Sequence, residues 1–267
     1  MVNDLDHHSK TLVQRWENGA VSPLNEYLGD ESLVHLSANG DIFTTLLASN
    51  SDLKYLLIGH LFTEYQLDVS GVNNHIQIIE DAGGITVDVE NPTITLKMKR
   101  EGLVVTSCGA CDQDNLNTLV DSTPKVTDSN RPYRMEQLFE KLDEMRSVQE
   151  VFLKTGGVHG SAILMDDDSF TVMEDIGRHN AVDKAIGYAL STSSSIRIRA
   201  LFLSGRCGWD IVSKAAHANI PVIASVGAAS SLAAQTARQA GLTLVSFVRD
   251  GKSVVIGPFQ GRFDTKD

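Results

Sequence analysis

Only three cysteines occur in this 267-residue chain, Cys108, Cys111 and Cys207, too few and of the wrong parity for a disulfide framework. That scarcity fits a reducing compartment. No second C-x-x-C and no paired Cys/His box accompanies Cys108 and Cys111, which argues against a structural zinc site. No apolar run approaches the roughly 20 residues that cross a bilayer. The segment from Met1 to His8 is polar and acidic, without the basic and apolar regions of a secretory signal, so the expected location is the cytoplasm. Positive charge is also short: 23 Lys and Arg face 34 Asp and Glu, a net charge of −11, and no basic stripe is present to follow a nucleic-acid backbone. A small anion held by a few local donors remains compatible with this balance.

What is present divides into two expected domains. Residues 1–111 read as a mainly antiparallel β plus helix unit that ends in the Cys108–Cys111 loop. Leu33–Leu36 and Ile42–Thr45 flank the turn dipeptide Asn39-Gly40, which takes the positive φ angles of a tight hairpin. Ser51-Asp52 starts a helix through Leu53, Leu56, Leu57, His60 and Leu61. His75–Glu80 and Ile85–Val89 form a second hairpin turned at Gly83-Gly84, and Thr93–Met98 alternates as a strand leading to the cysteines. Residues 112–131, rich in Asp, Asn, Ser, Thr and Pro, read as a mobile linker.

Residues 132–267 read as an α/β domain. Met135, Leu138, Phe139, Leu142, Met145 and Phe152 recur at helical spacing as one apolar face. A hairpin of Ser161–Met165 and Phe170–Glu174 follows, then a helix over Asn180–Leu190 and a buried strand over Ile198–Leu203. Helices over Ile211–Ala218 and Ser231–Gln239 alternate with strands at Val222–Ala224 and Leu242–Val248. This alternation predicts crossover units and parallel strand pairs.

In such sheets ligands bind where strand carboxyl ends meet helix amino termini, because free backbone N–H groups point outward there. Three loops meet that description: Ser204–Gly208 with Arg206, Ser225–Ser230, and Phe247-Val248-Arg249-Asp250-Gly251-Lys252. Arg206, Arg249 and Lys252 supply positive charge for a phosphate or pyrophosphate. None is a P-loop or a complete G-x-G-x-x-G, and ordinary turn chemistry accounts for any one of them alone.

For the pair Cys108 and Cys111 three readings stay open on the residues alone: sulfur or redox chemistry, a metal, or inert structural thiols. A persulfide carrier needs an accessible cysteine on a movable segment, which a loop after a strand provides. Asp112 and Asp114 raise a nearby thiol pKa, so activation has to come through the fold. His159 and His179 stand at element boundaries as proton shuttles, ligands or structural hydrogen-bonding groups. Asp175, Arg178, Asn180, Asp183 and Lys184 crowd one helix start, with Asp183 and Lys184 read as structural. Cys207 reads as a small buried hydrophobe.

Taken together, Ser107-Cys108-Gly109-Ala110-Cys111, Gly156-Gly157-Val158-His159, the run Glu174–Lys184, Ser204-Gly205-Arg206 and Ile220–Ser225 resemble the formate dehydrogenase accessory sulfurtransferase family. The order matches across nearly the whole chain, and Gly177-Arg178-His179-Asn180 is its most specific part. The resemblance implies a cytoplasmic sulfurtransferase that accepts sulfur from a cysteine desulfurase as a cysteine persulfide. It delivers that sulfur to the molybdenum or tungsten of a bis(molybdopterin guanine dinucleotide) cofactor, bound as acceptor, for formate dehydrogenase. No permanently bound metal is implied. Cys108 would carry the persulfide and Cys111 assist or alternate. The segment Phe247–Lys252 would match the guanine-nucleotide loop, and Arg206, Ser225 and His179 would stand beside the cofactor. A cytidine-deaminase-like three-layer α/β/α carboxy-terminal domain and a homodimer are also implied. Departures from the family pattern are Asp112, where glycine is common, the stretch Cys207-Gly208-Trp209-Asp210, and a Ser225–Ser230 loop without proline.

The alternatives are a non-catalytic chaperone for the guanine dinucleotide cofactor, a thiol–disulfide oxidoreductase, and a zinc hydrolase of the deaminase type. The last lacks its H-x-E and P-C-x-x-C boxes. The second lacks a C-x-x-C at a helix start after a first strand.

Overall fold

The computed structural model describes residues 8–94, 116–127, 131–192 and 197–264. The expected strand after Thr93, the Cys108–Cys111 loop and the boundary at residue 111 lie in whole or in part outside the described residues.

The chain begins with a hairpin that the sequence reading passed over. Strands β1 (His8–Glu17) and β2 (Ala20–Gly29) pair antiparallel, and Glu17 opposite Ala20 leaves only Asn18-Gly19 in the turn. Both turn residues have positive φ, 50° and 85°, as a two-residue turn of this hand requires. The ribbon is wide open to solvent, with Leu12, Trp16 and Val21 exposed.

Strands β3 (Ser32–Ala38), β4 (Asp41–Ala48), β5 (Ile76–Asp81) and β6 (Gly84–Val89) make a four-stranded sheet in the order β4-β3-β6-β5. The expected turn at Asn39-Gly40 is present, with φ of 54° and 84°. The pair β3 and β6 is parallel and the rest antiparallel. Helix α1 (Leu53–Tyr65) covers one face, and its Leu56, Leu57 and Leu61 are completely buried against Val34, Leu36 and Val87. Full burial of one such side chain contributes about 1.5–3 kcal/mol, so this face alone anchors the helix.

The larger sheet has the order β12-β11-β10-β9-β7-β8. Its strands are β7 (His159–Met165), β8 (Phe170–Asp175), β9 (Ile198–Leu203), β10 (Val222–Ser225), β11 (Thr243–Arg249) and β12 (Lys252–Ile256). As the alternation predicts, β9, β10 and β11 are parallel, with antiparallel β7, β8 and β12 outside them. Strand β12 goes beyond the sequence expectation, which ends at the Phe247–Lys252 loop; its residues are exposed or half-buried and give no strong alternation.

Helices α5 (Arg178–Thr192), α6 (Trp209–His217) and α7 (Ser231–Ala240) pack on one face through Val182, Ile186, Ile211, Val212 and Ala237. Helix α3 (Met135–Val148) packs on the other through Leu138, Leu142 and Met145. The apolar run expected as one helix to Phe152 breaks at Gln149, after which α4 (Glu150–Thr155) starts. Glu174 fixes that second start by accepting from the N–H groups of Val151 and Phe152 at 3.0 and 2.9 Å.

The described part of the expected linker is built in. Residues Leu116–Asp121 form α2, Leu119 and Val120 are buried, and Val126 N–H donates to Ala240 C=O at 2.8 Å. Composition hid this, because two apolar residues in a polar stretch suffice when a neighbouring helix, α7, supplies the rest of the surface. Among the described residues no helix is long and apolar enough to cross a membrane.

Candidate functional site

The carboxyl ends of β9, β10 and β11 lie along one edge of the large sheet, and the antiparallel partner β7 begins there with His159. The register sets this, since Ser161 opposes Leu203 and Ser225 opposes Leu203 from the other side. The three expected loops therefore meet. Phe247 N–H donates to Gly227 C=O at 3.1 Å, and Gly227 N–H to Gly205 C=O at 3.2 Å. Ser225 Oγ donates to Gly205 C=O at 2.6 Å, so this buried hydroxyl clamps one loop to the next. A Cβ at Gly227 would stand 2.8 Å from the Gly205 carbonyl, so only glycine lets the two loops touch.

At one end of this ridge opens a cavity of about 660 Å3, lined by Val226, Val248, Arg249, Asp250 and Gly251 and by the outer stripe of α3. That stripe consists of Glu136, Phe139, Glu140, Asp143 and Arg146. The sequence reading used only the apolar face of α3. The signal was available in the polar spacing, since Glu136, Glu140 and Asp143 recur four and three residues apart on the opposite side. Among the expected loop residues Phe247 is exposed with φ of 54°, and the bulge between Ser246 and Arg249 turns Val248 into the core below the cavity. Lys252 opens β12 beyond it and is exposed.

At the other end stand His159, Arg178 at the first residue of α5, and Arg206. His159 packs over Gly205, whose Cβ position lies 3.4 Å from its Nδ1. Burial and then Arg178 lower the His159 pKa, Asp175 opposes them, and Arg206 adds a smaller lowering effect. His179 is buried, and its Nε2 contacts the Asp210 carboxylate. Burial lowers its pKa as well, against the pull of Asp210. Arg178 Nη2 lies 4.0 Å from the same carboxylate. The Cys207 thiol is buried and its pKa pushed up, first by burial and then by Asp210, which agrees with its reading as an inert small hydrophobe. Cys108 and Cys111 lie outside the described residues.

The segment Glu174–Lys184 is mostly a fastener. Lys184 Nζ and Asp175 Oδ2 form a fully buried pair at 2.6 Å, and Asp175 also accepts from Ser49 N–H, Gly177 N–H and Asn180 Nδ2. Asp183 lies between Lys214 at 2.8 Å, His60 at 3.2 Å and Thr63 at 2.8 Å. Lys214 in turn reaches Glu64 at 2.6 Å. The structural reading of Asp183 and Lys184 thus agrees with their burial, and these contacts lock α5 to α1 and the small sheet.

Helix α7 starts beside the ridge with Ser230 Oγ accepting from Ala233 N–H at 3.1 Å. Ser230→Ala is expected to cost about 1 kcal/mol in denaturant unfolding. Ser230→Asp, which keeps an acceptor, should cost less; equal losses would show that the cap is not what the helix end depends on.

Comparison with known proteins gives a consistent set of relatives. Residues 30–259 match the model of the FdhD/NarQ family. The chain is 35% identical over 256 residues to the sulfur carrier protein FdhD of Streptomyces avermitilis, covering 89% of each chain. It is 32% identical to the protein of that name from Shewanella oneidensis, over 94% of this chain and 93% of the relative. The fold is that of a solved formate dehydrogenase accessory protein from Desulfotalea psychrophila, with a TM-score of 0.74 and 21% identity over 97% of this chain and all of the other.

Proposed function

The chain belongs to the FdhD/NarQ family, and from that premise we propose that it is a sulfurtransferase, a persulfide carrier required for formate dehydrogenase. In this reading the Cys108 thiolate attacks the outer sulfur of a persulfide on a cysteine desulfurase. A new S–S bond forms on Cys108, the old one breaks, and the desulfurase cysteine leaves as thiolate. For delivery, the Cys111 thiolate attacks Cys108 Sγ. The Cys108–Cys111 disulfide forms, and the outer sulfur leaves as hydrosulfide toward the metal of a bis(molybdopterin guanine dinucleotide) acceptor. The two cysteines supply the two electrons that reduce sulfane sulfur to sulfide, and a dithiol reductant restores them.

The observation that carries the acceptor half is the cavity between α3 and residues 248–251. Phe139 and Val248 offer apolar walls for a purine ring. The carboxylates of Glu136, Glu140, Asp143 and Asp250 offer acceptors for the N–H edge of guanine, which no other common base presents in the same pattern. Helices on both faces of a mixed sheet support reading this part as the cytidine-deaminase-like arrangement. The partners are the desulfurase, formate dehydrogenase and a second copy of the chain, in the cytoplasm.

The test is peptide mass spectrometry after incubation with a cysteine desulfurase and cysteine. One added sulfur on the Cys108 peptide, abolished in Cys108→Ala, is the expected result. No added sulfur on any cysteine, together with tight guanine-nucleotide binding, would replace the carrier by a cofactor chaperone.

A further inference from the structure

The ribbon of β1 and β2 is an arm whose outer part packs on little else among the described residues. Its two strands of ten residues span about 33 Å, and a two-stranded ribbon by itself is at best marginally stable in water. The base is fixed. A Cβ at Gly29 would lie 3.2 Å from Val158 and 3.7 Å from Ile176, Ser9 Oγ donates to Asp30 at 2.5 Å, and only Asp30 and Glu31 join β2 to β3. The register puts Leu12, Trp16, Val21, Pro23 and Tyr27 on one face. All five are exposed, Trp16 by 71%. The opposite face carries the Arg15 to Glu26 ion pair, and its Val13 and Leu24 are half-buried. The larger apolar side chains thus gather on the wetter side, the mark of a surface that meets a partner.

Pro23 decides between edge and face. Counting from the closing pair of Glu17 and Ala20, it falls opposite Gln14 at a non-hydrogen-bonded position, where the N–H it lacks would have pointed outward. That blunts β2 as a template for a further strand. The face is what the arm has to bury.

The same chain leaves a second face uncovered. In the β4-β3-β6-β5 sheet, α1 covers the side of Val34, Leu36 and Val87, while the other side carries the cross-strand pair Leu33 and Leu47 together with Ile42 and Ile79. Each of these four is exposed, Ile79 by 53%. Around Ile42 and Ile79 lies a hollow of about 960 Å3 that also holds Asp88 and Glu90. Strands β3 to β6 contain no lysine or arginine, whereas the apolar face of the arm carries Lys10 and no carboxylate. The two surfaces are therefore complementary in charge as well as both apolar.

We propose that the apolar face of the β1–β2 arm docks on the outer face of the small sheet of a second copy of this chain, each copy giving one arm and receiving one. The proposal rests on the second copy named above as a partner and deepens it by assigning the surface. Facing sheets pack about 10 Å apart with interdigitating side chains, so Leu12 and Trp16 find an apolar floor in the Leu33, Leu47 and Ile79 face. A two-fold arrangement makes every contact twice. With a footprint of about 33 by 10 Å, two arms and the two patches beneath them remove roughly 1,300 Å2 from water, within the range of stable interfaces.

The experiment is sedimentation equilibrium of the full chain, of Trp16→Glu on the arm, of Ile79→Lys on the sheet, and of an equal mixture of the two variants, with folding checked by circular dichroism. Wild type should be a dimer, and each variant alone should raise the dissociation constant by at least about 30-fold, as loss of a central aromatic or aliphatic anchor does. The mixture should recover dimers, because one arm and one sheet face in each mixed pair are unaltered and the other contact joins introduced charges of opposite sign. A wild-type monomer overturns the second-copy reading itself. A Trp16→Glu dimer as tight as wild type overturns the arm and leaves the second copy intact. Dimers of Ile79→Lys, or a mixture that stays monomeric, overturn the pairing of arm with sheet.

A second readout needs no charged substitution. The chain has two tryptophans, Trp16 and Trp209, so tryptophan emission compared between wild type and Trp16→Phe isolates Trp16. Its emission should move to longer wavelength as wild type is diluted through dissociation. A Trp16 emission that is blue-shifted and indifferent to dilution would mean that its own chain covers the arm, and would overturn the docking.

Discussion

Lys214→Met should destabilise the protein by about 3–5 kcal/mol, the cost of leaving a buried charge without its partner. Lys214 is all but fully buried, and its ammonium holds Asp183 through both carboxylate oxygens at 2.8 and 2.9 Å, Glu64 at 2.6 Å and Thr63 at 2.9 Å. Removing it leaves two carboxylates with only His60 and the Thr63 hydroxyl beside Asp183. Burial alone would raise the Asp183 pKa, yet Lys214 and His60 hold it down at about 2. Burial alone would likewise lower Lys214, but Asp183 and Glu64 push it up to about 12.

The pH dependence follows with opposite signs at the two ends. The folded Asp183 value lies below its ordinary 3.8, so its contribution is present above 3.8 and is lost as pH falls toward about 2. The folded Lys214 value lies above 10.5, so its contribution is present below 10.5 and is lost as pH rises through about 12. In Lys214→Met only the burial effect and His60 act on Asp183, so acidification from neutral should narrow the gap between variant and wild type. Denaturant unfolding of both proteins at pH 7 and pH 5 measures this. A loss under about 1 kcal/mol, typical of an exposed pair, would mean that water reaches the network. Replacing Glu64, Asp183 and Lys214 together by apolar residues of similar volume should recover much of the loss, because the charges are then absent rather than unpaired.

These contacts show where the sequence was legible and where it was not. Apolar patterning located α1, α5, α6 and α7 and all of β7 to β11: α7 buries one face at helical spacing, whereas β9 and β10 are short continuous apolar runs buried on both faces. Turn chemistry placed the β3–β4 turn and the three ridge loops. The same Asn-Gly signal stood at Asn18-Gly19, but β1 and β2 bury neither face, so no apolar alternation drew attention to it. What a linear reading cannot supply is which outer face meets which loop. The acidic stripe of α3 has the look of an ordinary solvated helix surface until the fold brings residues 248–251 in front of it. Nor does the order of residues in Gly177-Arg178-His179-Asn180 say which side chain turns inward: His179 lies buried against Asp210, while the neighbouring Arg178 stays partly exposed.

Gly187→Ala should be destabilising by about 3 kcal/mol, the upper part of the range for overpacking, although helix propensity alone predicts a gain of about 1 kcal/mol. The sign is decided by how closely α1 and α5 cross. A Cβ at Gly187 would stand 2.0 Å from the Tyr55 carbonyl oxygen and 2.8 Å from Gly59 N, and one at Gly59 would stand 1.9 Å from the Asp183 carbonyl oxygen. Both obstacles are backbone, so no side chain can swing aside and the helices must separate. Separation would pull His60 and Thr63 on α1 away from Asp183 on α5, so the steric cost and the loss of the buried network arrive together. The variant should therefore unfold at lower denaturant, with Asp183 losing part of the stabilisation that keeps its pKa low. If Gly187→Ala were instead as stable as wild type, the two helices would have room to spare, and the close crossing could not be what aligns α5, and with it Arg178, on the sheet edge.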